Sequence, residues 1–302
     1  SCGRWMETTR EQGGEMPELP QVEALRGWLD AQLATRAIAR VQLTDFSALK
    51  TYKPPLSALV GLEISGVTRH GKMLDIDAQG VHLIVHFSRA GWLKWKPEQP
   101  AAPARPGKGP LSFRLTLDDD SGFDLTKAGT QRRLAIWLAD DPHDVEMIAT
   151  LGPDPLAPEF TREAFDAILD AAGRSQLKGV LRDQRIIAGI GNAYSDEILH
   201  AAKMSPFTPA SSLDEAGRQL LYDQIGTVLA DAIERCQGLP PDKLKDDKRQ
   251  AMRVHGRAGE PCAVCGTTIA QVSFADSSLQ YCPGCQTGGK VLADRRMSKL
   301  LR

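Results

Sequence analysis

Four cysteines constrain this chain more than any other feature. Cys262, Cys265, Cys282 and Cys285 stand as C-x2-C-x16-C-x2-C, a spacing that lets two tight turns each present two thiolates to one tetrahedral zinc ion. Gly266 and Gly284 suit those turns, and the intervening "TTIAQVSFADSSLQY" alternates like a hairpin. The expectation is a zinc ribbon, in which one structural Zn2+ replaces a core too small to fold alone. Two disulfides would satisfy the same count. The chain shows no charged-then-apolar signal segment, however, and a cytosolic chain keeps its thiols reduced. Zinc ribbons serve many functions, so the motif identifies a module and leaves the activity open. Cys2 and Cys236 fall outside the pattern.

The 302 residues allow two or three domains. No apolar run approaches the ~18 residues of a membrane span, so a cytoplasmic protein is expected. The net charge of −1 says little about partners, but its distribution says more. Residues 241–302 hold 11 Lys/Arg against 6 Asp/Glu, while residues 1–240 hold 26 against 32. A basic end on an acidic chain suits a polyanionic partner, and equally a solvated tail.

Periodicity places the elements. Val22, Leu25, Trp28, Leu29 and Leu33 fall on one face of a helix over Pro20–Leu33. "ISGVTRHGKMLDID" and "VHLIVHF" read as strands, residues 96–110 as a Pro/Gly/Ala loop, and residues 111–126 as a hairpin turning at Asp120–Ser121–Gly122. Helical patterns follow from about Asp140. Thr161 is positioned to cap one helix, and Ser212 with Glu215 forms a capping-box pattern for another that Gly238 and Pro240 end. "LKDDKRQ" (244–250) reads as a polar linker. Between the helices, "IAGIGN" (187–192) makes a turn whose glycines permit close backbone approach to a ligand, with the next helix starting near Asn192. A packing corner with no ligand explains that turn as well.

Taken in order, "PELPQVE" (17–23), "GKMLDID" around Lys72, "HFSRAGWL" (86–93), "LGPDPL" (151–156), "LKGVLRDQRIIAGIGNAYSDEIL" (177–199) and "HGRAGEPCAVCG…YCPGCQ" (255–286) resemble the formamidopyrimidine-DNA glycosylase and endonuclease VIII family, in its formamidopyrimidine branch. The resemblance covers nearly the whole chain. It implies a multidomain α+β fold: an N-terminal helix with an antiparallel β-sandwich (17–145), a helix–two-turn–helix domain (146–250) and a zinc-ribbon finger (251–286), followed by a basic tail (287–302). It also implies a bacterial, monomeric base-excision enzyme that associates with the nucleoid and binds damaged double-stranded DNA. Such an enzyme removes oxidised purines and cuts the strand as an AP lyase. A relative that binds damaged or abasic DNA silently, or acts as a lyase only, is the alternative.

By this resemblance Pro17 is the nucleophile and Glu18 the acid/base at the sugar ring oxygen. Lys72 and Lys178 are further catalytic lysines, and Asn192, with Gly191, holds the phosphate beside the lesion. Arg89 stands where the family commonly has a methionine that fills the gap left by the flipped base. The family's opposite-strand wedge segment is replaced by "LTKAGTQRRLAIW", leaving Gln131, Arg132 or Arg133 for that contact. The zinc hairpin lacks the family's arginine, leaving Lys290, Arg295 or Arg296 of the tail. Gln21 replaces a usual glutamate, which bears on lesion specificity. A proline nitrogen in a peptide bond has no free lone pair, so this chemistry needs Pro17 as the terminus. Residues 1–16 are accordingly expected to be absent from the mature protein. Gly13–Gly14–Glu15 before Met16 reads as a translated ribosome-binding site upstream of the true start.

Overall fold

The computed structural model describes residues 16–107, 109–128 and 133–293. The segment expected to be missing from the mature protein thus lies outside the described residues up to Glu15, as do Gln131, Arg132, Arg295 and Arg296.

The chain enters α1 (Leu19–Leu33), whose face of Val22, Leu25, Leu29 and Leu33 is fully buried. It then builds two four-stranded antiparallel sheets. One has the order β1 (Ile38–Leu43), β6 (Leu111–Leu117), β7 (Gly122–Lys127), β5 (Gly91–Lys96). The other has the order β2 (Gly66–His70), β3 (Met73–Ala78), β4 (Val81–His86), β8 (Ala135–Ala139). The apolar faces of both sheets and α1 share one core, including Leu74, Leu83, Phe113, Phe123 and Ile136. The expected β6–β7 turn forms, with Asp120 at φ 68°. Strand β8 is an edge that the sequence reading did not anticipate.

A short α2 (Glu146–Ala149) leads to the helical unit of α3 (Arg162–Ala172), α4 (Leu177–Arg182), α5 (Asn192–Ala201) and α6 (Glu215–Cys236). Phe165, Leu169, Leu177, Ile198, Ile225 and Leu229 form its separate core. Thr161 caps α3 by accepting from the Ala164 N–H at 3.2 Å. The cap of α6 is Asp214, whose carboxylate accepts from Gly217 N–H at 2.8 Å. Ser212 instead donates to the Pro209 carbonyl, because a carboxylate two residues closer to the helix outcompetes it. The segment expected as a polar linker is a helix, α7 (Pro241–Ala251), started by Pro240–Pro241 and packed on α1 and β5. Beyond it the hairpin β9 (Ala270–Ser273) and β10 (Ser278–Tyr281) and the short α8 (Pro283–Gln286) carry the cysteine pairs. Among the described residues no helix is long and apolar enough to cross a membrane.

Candidate active site

The start of α1 and the start of α5 meet head to head, and one carboxylate joins them. Glu18 immediately precedes α1, yet its side chain turns to α5, accepting from the backbone N–H groups of Gly191 (2.7 Å), Ala193 (2.9 Å) and Tyr194 (3.1 Å). Those are orphan donors at the positive end of a helix dipole, where an anion is favoured. Glu18 is 2% exposed. Burial alone would raise its carboxyl; Lys248, Lys72 and the N–H groups of Ala193 and Gly191 outweigh that and bring it down to about 2. Glu18 is therefore a carboxylate at neutral pH.

Glycine makes the approach possible. A Cβ on Gly191 would lie 2.5 Å from the Lys72 Nζ and 2.7 Å from the Glu18 carboxyl carbon. Gly189, at φ 95°, brings its carbonyl to the Leu19 N–H at 3.0 Å and fixes α1 to the turn. The glycines of "IAGIGN" thus pack the turn closely against Leu19, Glu18 and Lys72.

The cations around Glu18 come from three elements. Lys72, in the β2–β3 turn, is 9% exposed. Burial above all, with Lys248 and Arg182 adding to it, lowers it to about 8 against the pull of Glu18. Behind it His86 is held neutral, lowered to about 4 by burial and by Lys72. Lys178 of α4 donates to Asp196 Oδ1 (2.6 Å) and to the Asn192 carbonyl (2.7 Å), and burial lowers it despite the Asp196 charge. Lys248 of α7 donates to the Met16 carbonyl at 2.9 Å and lies 3.5 Å from Glu18 Oε1. Sequence reasoning missed Lys248 because its segment carries too few apolar residues to reveal a helix. The one available sign was Pro-Pro-Asp, a helix-start pattern.

Gln21 lies beneath this corner, not in it. Its Oε1 accepts from the Glu18 N–H (3.3 Å) and its Nε2 donates to the Tyr194 hydroxyl (2.9 Å), with 1% of the residue exposed. It completes a capping box for α1, so it faces the protein interior.

Asn192 and the zinc module form the other wall. Asn192 Nδ2 donates to the Ser278 carbonyl of β10 at 2.8 Å. Its Oδ1 is buried without a hydrogen-bond partner. Two consecutive acids of α5 hold the module in place. Asp196 Oδ2 accepts from His255 Nδ1 (2.7 Å) and the Gln280 N–H (3.1 Å). Glu197 accepts from the N–H groups of Arg253, Val254 and His255 at 2.8–2.9 Å. A cavity of about 400 Å3 separates α4 from the hairpin, lined by Lys178, Arg182, Phe207, Phe274 and Leu279. Its cationic floor and apolar flank suit a nucleic-acid backbone with a base against it.

The Sγ atoms of Cys262, Cys265, Cys282 and Cys285 all lie within 4.8 Å of one another. Sulfurs at Zn–S ~2.3 Å in a tetrahedron stand ~3.8 Å apart, so the four fit one structural zinc. His200 Nε2 lies 3.4 Å from Cys262 Sγ and the Val264 N–H donates to the same sulfur at 3.4 Å, as thiolate ligands require.

Arg89 and Arg133 are exposed on the sheet side. The Arg89 guanidinium donates to the Asp276 carbonyl at the tip of the zinc hairpin (3.2 Å), and the Arg133 carbonyl accepts from Ser88. Arg89 therefore lies in the turn between β4 and β5, with Arg133 beside it, and reaches the hairpin that Asn192 also bonds. Lys290 is exposed just beyond α8.

Comparison with known proteins agrees with this geometry. Residues 16–135 match the formamidopyrimidine-DNA glycosylase N-terminal domain, residues 151–240 its H2TH domain, and residues 259–288 the zinc finger found in FPG and IleRS. The chain is 35% identical over 296 residues to the formamidopyrimidine-DNA glycosylase of Symbiobacterium thermophilum, covering 93% of each. This chain belongs to the formamidopyrimidine-DNA glycosylase family. An uncharacterized formamidopyrimidine-DNA glycosylase-like protein of Mycobacterium tuberculosis is 53% identical over 152 residues, which is 50% of this chain and 94% of that one. Among solved structures, the MutM (Fpg) protein of Thermus thermophilus superposes with a TM-score of 0.75 at 29% identity, covering 91% of this chain and all of that one. A MutM in complex with DNA containing carbocyclic 8-oxo-G gives 0.76 at 26% identity, covering 90% and 100%.

Proposed function

We propose that this chain is a base-excision DNA glycosylase with AP lyase activity, acting through Pro17 on oxidised purines in double-stranded DNA. The observation that carries the reading is the ionised Glu18, ringed by cations and helix N–H groups, beside a proline that becomes a secondary amine once Met16 is removed.

In the mature chain the Pro17 nitrogen attacks C1′ of the flipped nucleotide. The C1′–N bond breaks, and the base leaves with the bonding pair and takes up a proton. Glu18, entering as a carboxylate, accepts the ammonium proton left on Pro17 and delivers it to O4′, which opens the ring and leaves an iminium between C1′ and nitrogen. Lys72, lowered to about 8 by burial, stands at the same corner to exchange a proton with the departing base. Loss of a C2′ proton from the iminium then expels the 3′ phosphate, the β-elimination that makes the enzyme a lyase. Asn192 and the Lys178–Arg182 cleft serve the phosphates, and Arg89 fills the space vacated by the flipped base. The four cysteines hold zinc for structure only. The domain divisions 17–145, 146–250 and 251–286 follow the same reading.

Borohydride trapping tests it. Protein beginning at Pro17 is incubated with DNA containing 8-oxoguanine or an abasic site and reduced. A covalent adduct mapped to Pro17 is the expected result. Binding without any adduct would instead favour the silent relative.

A further inference from the structure

Helix α7 is pinned at its start, where Trp92 Nε1 of β5 donates to the Pro241 carbonyl at 2.6 Å and Lys245 Nζ sits 5.2 Å from the Trp92 ring. Two turns on, it sends Lys248 inward to the corner of Pro17 and Glu18. The Lys248 side chain is 4% exposed. Its ammonium is 2.9 Å from the Met16 carbonyl oxygen, 3.5 Å from Glu18 Oε1 and 5.9 Å from the Tyr194 ring. An amide oxygen and nitrogen share one carbon and stand ~2.3 Å apart, so the Pro17 nitrogen lies within about 5 Å of this charge.

We propose that Lys248 is a positioning residue for the reaction at Pro17: its ammonium holds the Glu18 carboxylate in its proton-accepting place and disfavours a second positive charge on the adjacent amine. The amine of the mature chain then keeps its lone pair at neutral pH. This rests on Pro17 being the nucleophile. Glu18 acts the other way, favouring a protonated amine. Lys72 from the β2–β3 turn, and Lys178 and Arg182 of α4 behind it, act with Lys248. Tyr194 of α5 is held protonated and His86 of β4 neutral, so neither contributes charge. Lys245, on α7 itself, faces Trp92. One positive charge at about 5 Å, in a corner where Glu18, Lys72 and Lys248 are all buried, is worth at least roughly one pH unit on the amine.

The test is the pH dependence of borohydride trapping on abasic DNA, using protein that begins at Pro17. In Lys248→Met the acid limb moves up by about one pH unit, so trapping below the limb is roughly tenfold slower. Lys248→Arg, which keeps the charge, retains the wild-type limb. If the methionine variant does not fold, Lys248→Gln is read the same way. An unmoved limb in the neutral variant, or an arginine variant shifted equally, overturns the proposal. Absence of an adduct from wild-type protein overturns the reading of Pro17 itself, before any variant is compared.

Discussion

Replacing Glu18 by glutamine tests the head-to-head junction of α1 and α5 independently of catalysis. In the folded protein the carboxyl is brought from 4.5 to about 2. At about 1.4 kcal/mol per pKa unit, that is roughly 3 kcal/mol of stability at neutral pH. Because folding depresses this pKa, the contribution is complete above the unfolded value and is lost as pH falls through the folded one. By pH 3 about 2 kcal/mol of it is gone. Glutamine accepts through one oxygen only and turns an amide N–H toward the donors of Gly191, Ala193 and Tyr194. The variant should therefore be less stable than wild type by about 3 kcal/mol between pH 5 and 7, and the gap should narrow steadily from pH 4.5 to pH 3. Denaturant unfolding at several pH values, followed by tryptophan fluorescence and by circular dichroism, measures it. A gap that stays constant through pH 3, or no gap at pH 7, would refute the assignment of Glu18 as an ionised cap on α5.

Gly191→Ala should cost about 2 kcal/mol and at least a tenfold loss of trapping, because the new methyl would meet Lys72 and Glu18; wild-type trapping would count against the packing. Gln21→Glu should leave lesion preference unchanged in a panel of defined lesions, since the side chain is turned inward to the Glu18 N–H, the Tyr194 hydroxyl and Cys236; a switch of preferred lesion would contradict its interior position. Cys282→Ala, or zinc removal by a chelator, should abolish DNA binding measured by fluorescence anisotropy, and unchanged affinity would sink the hairpin's assigned role. Asn192→Ala should weaken that binding about tenfold with a stability loss of only about 1 kcal/mol, and equal affinity would remove Asn192 from the interface.

Much of this architecture was legible in the sequence because its signals are local. The cysteine spacing, the apolar face of α1, the turn before Gly122 and the Thr161 cap each depend on a few neighbouring residues. Lys248 was illegible for the opposite reason. Its helix is almost entirely polar, and its role arises only when α7 docks on α1 some 230 residues away in sequence. Gln21 shows the same limit. A substitution that reads as a change in substrate chemistry also meets the Glu18 N–H and the Tyr194 hydroxyl, which the sequence does not reveal. Ser212 was expected to cap α6, and Asp214, two residues on, does so instead; only backbone geometry distinguishes them. Pro17, Glu18, Lys72 and Gly191 were named from a resemblance, and the fold brings them to one corner.

The paired acids of α5 have a thermodynamic consequence. Asp196 and Glu197 fasten the zinc module to the helix whose first residue, Asn192, bonds the hairpin carbonyl of Ser278. On the proposed function, metal and DNA are therefore two ligands of one rigid body, and their affinities are linked reciprocally. Whatever factor zinc adds to the affinity for DNA, bound DNA must add to the retention of zinc. A chelator should then strip the metal more slowly from the complex than from the free protein.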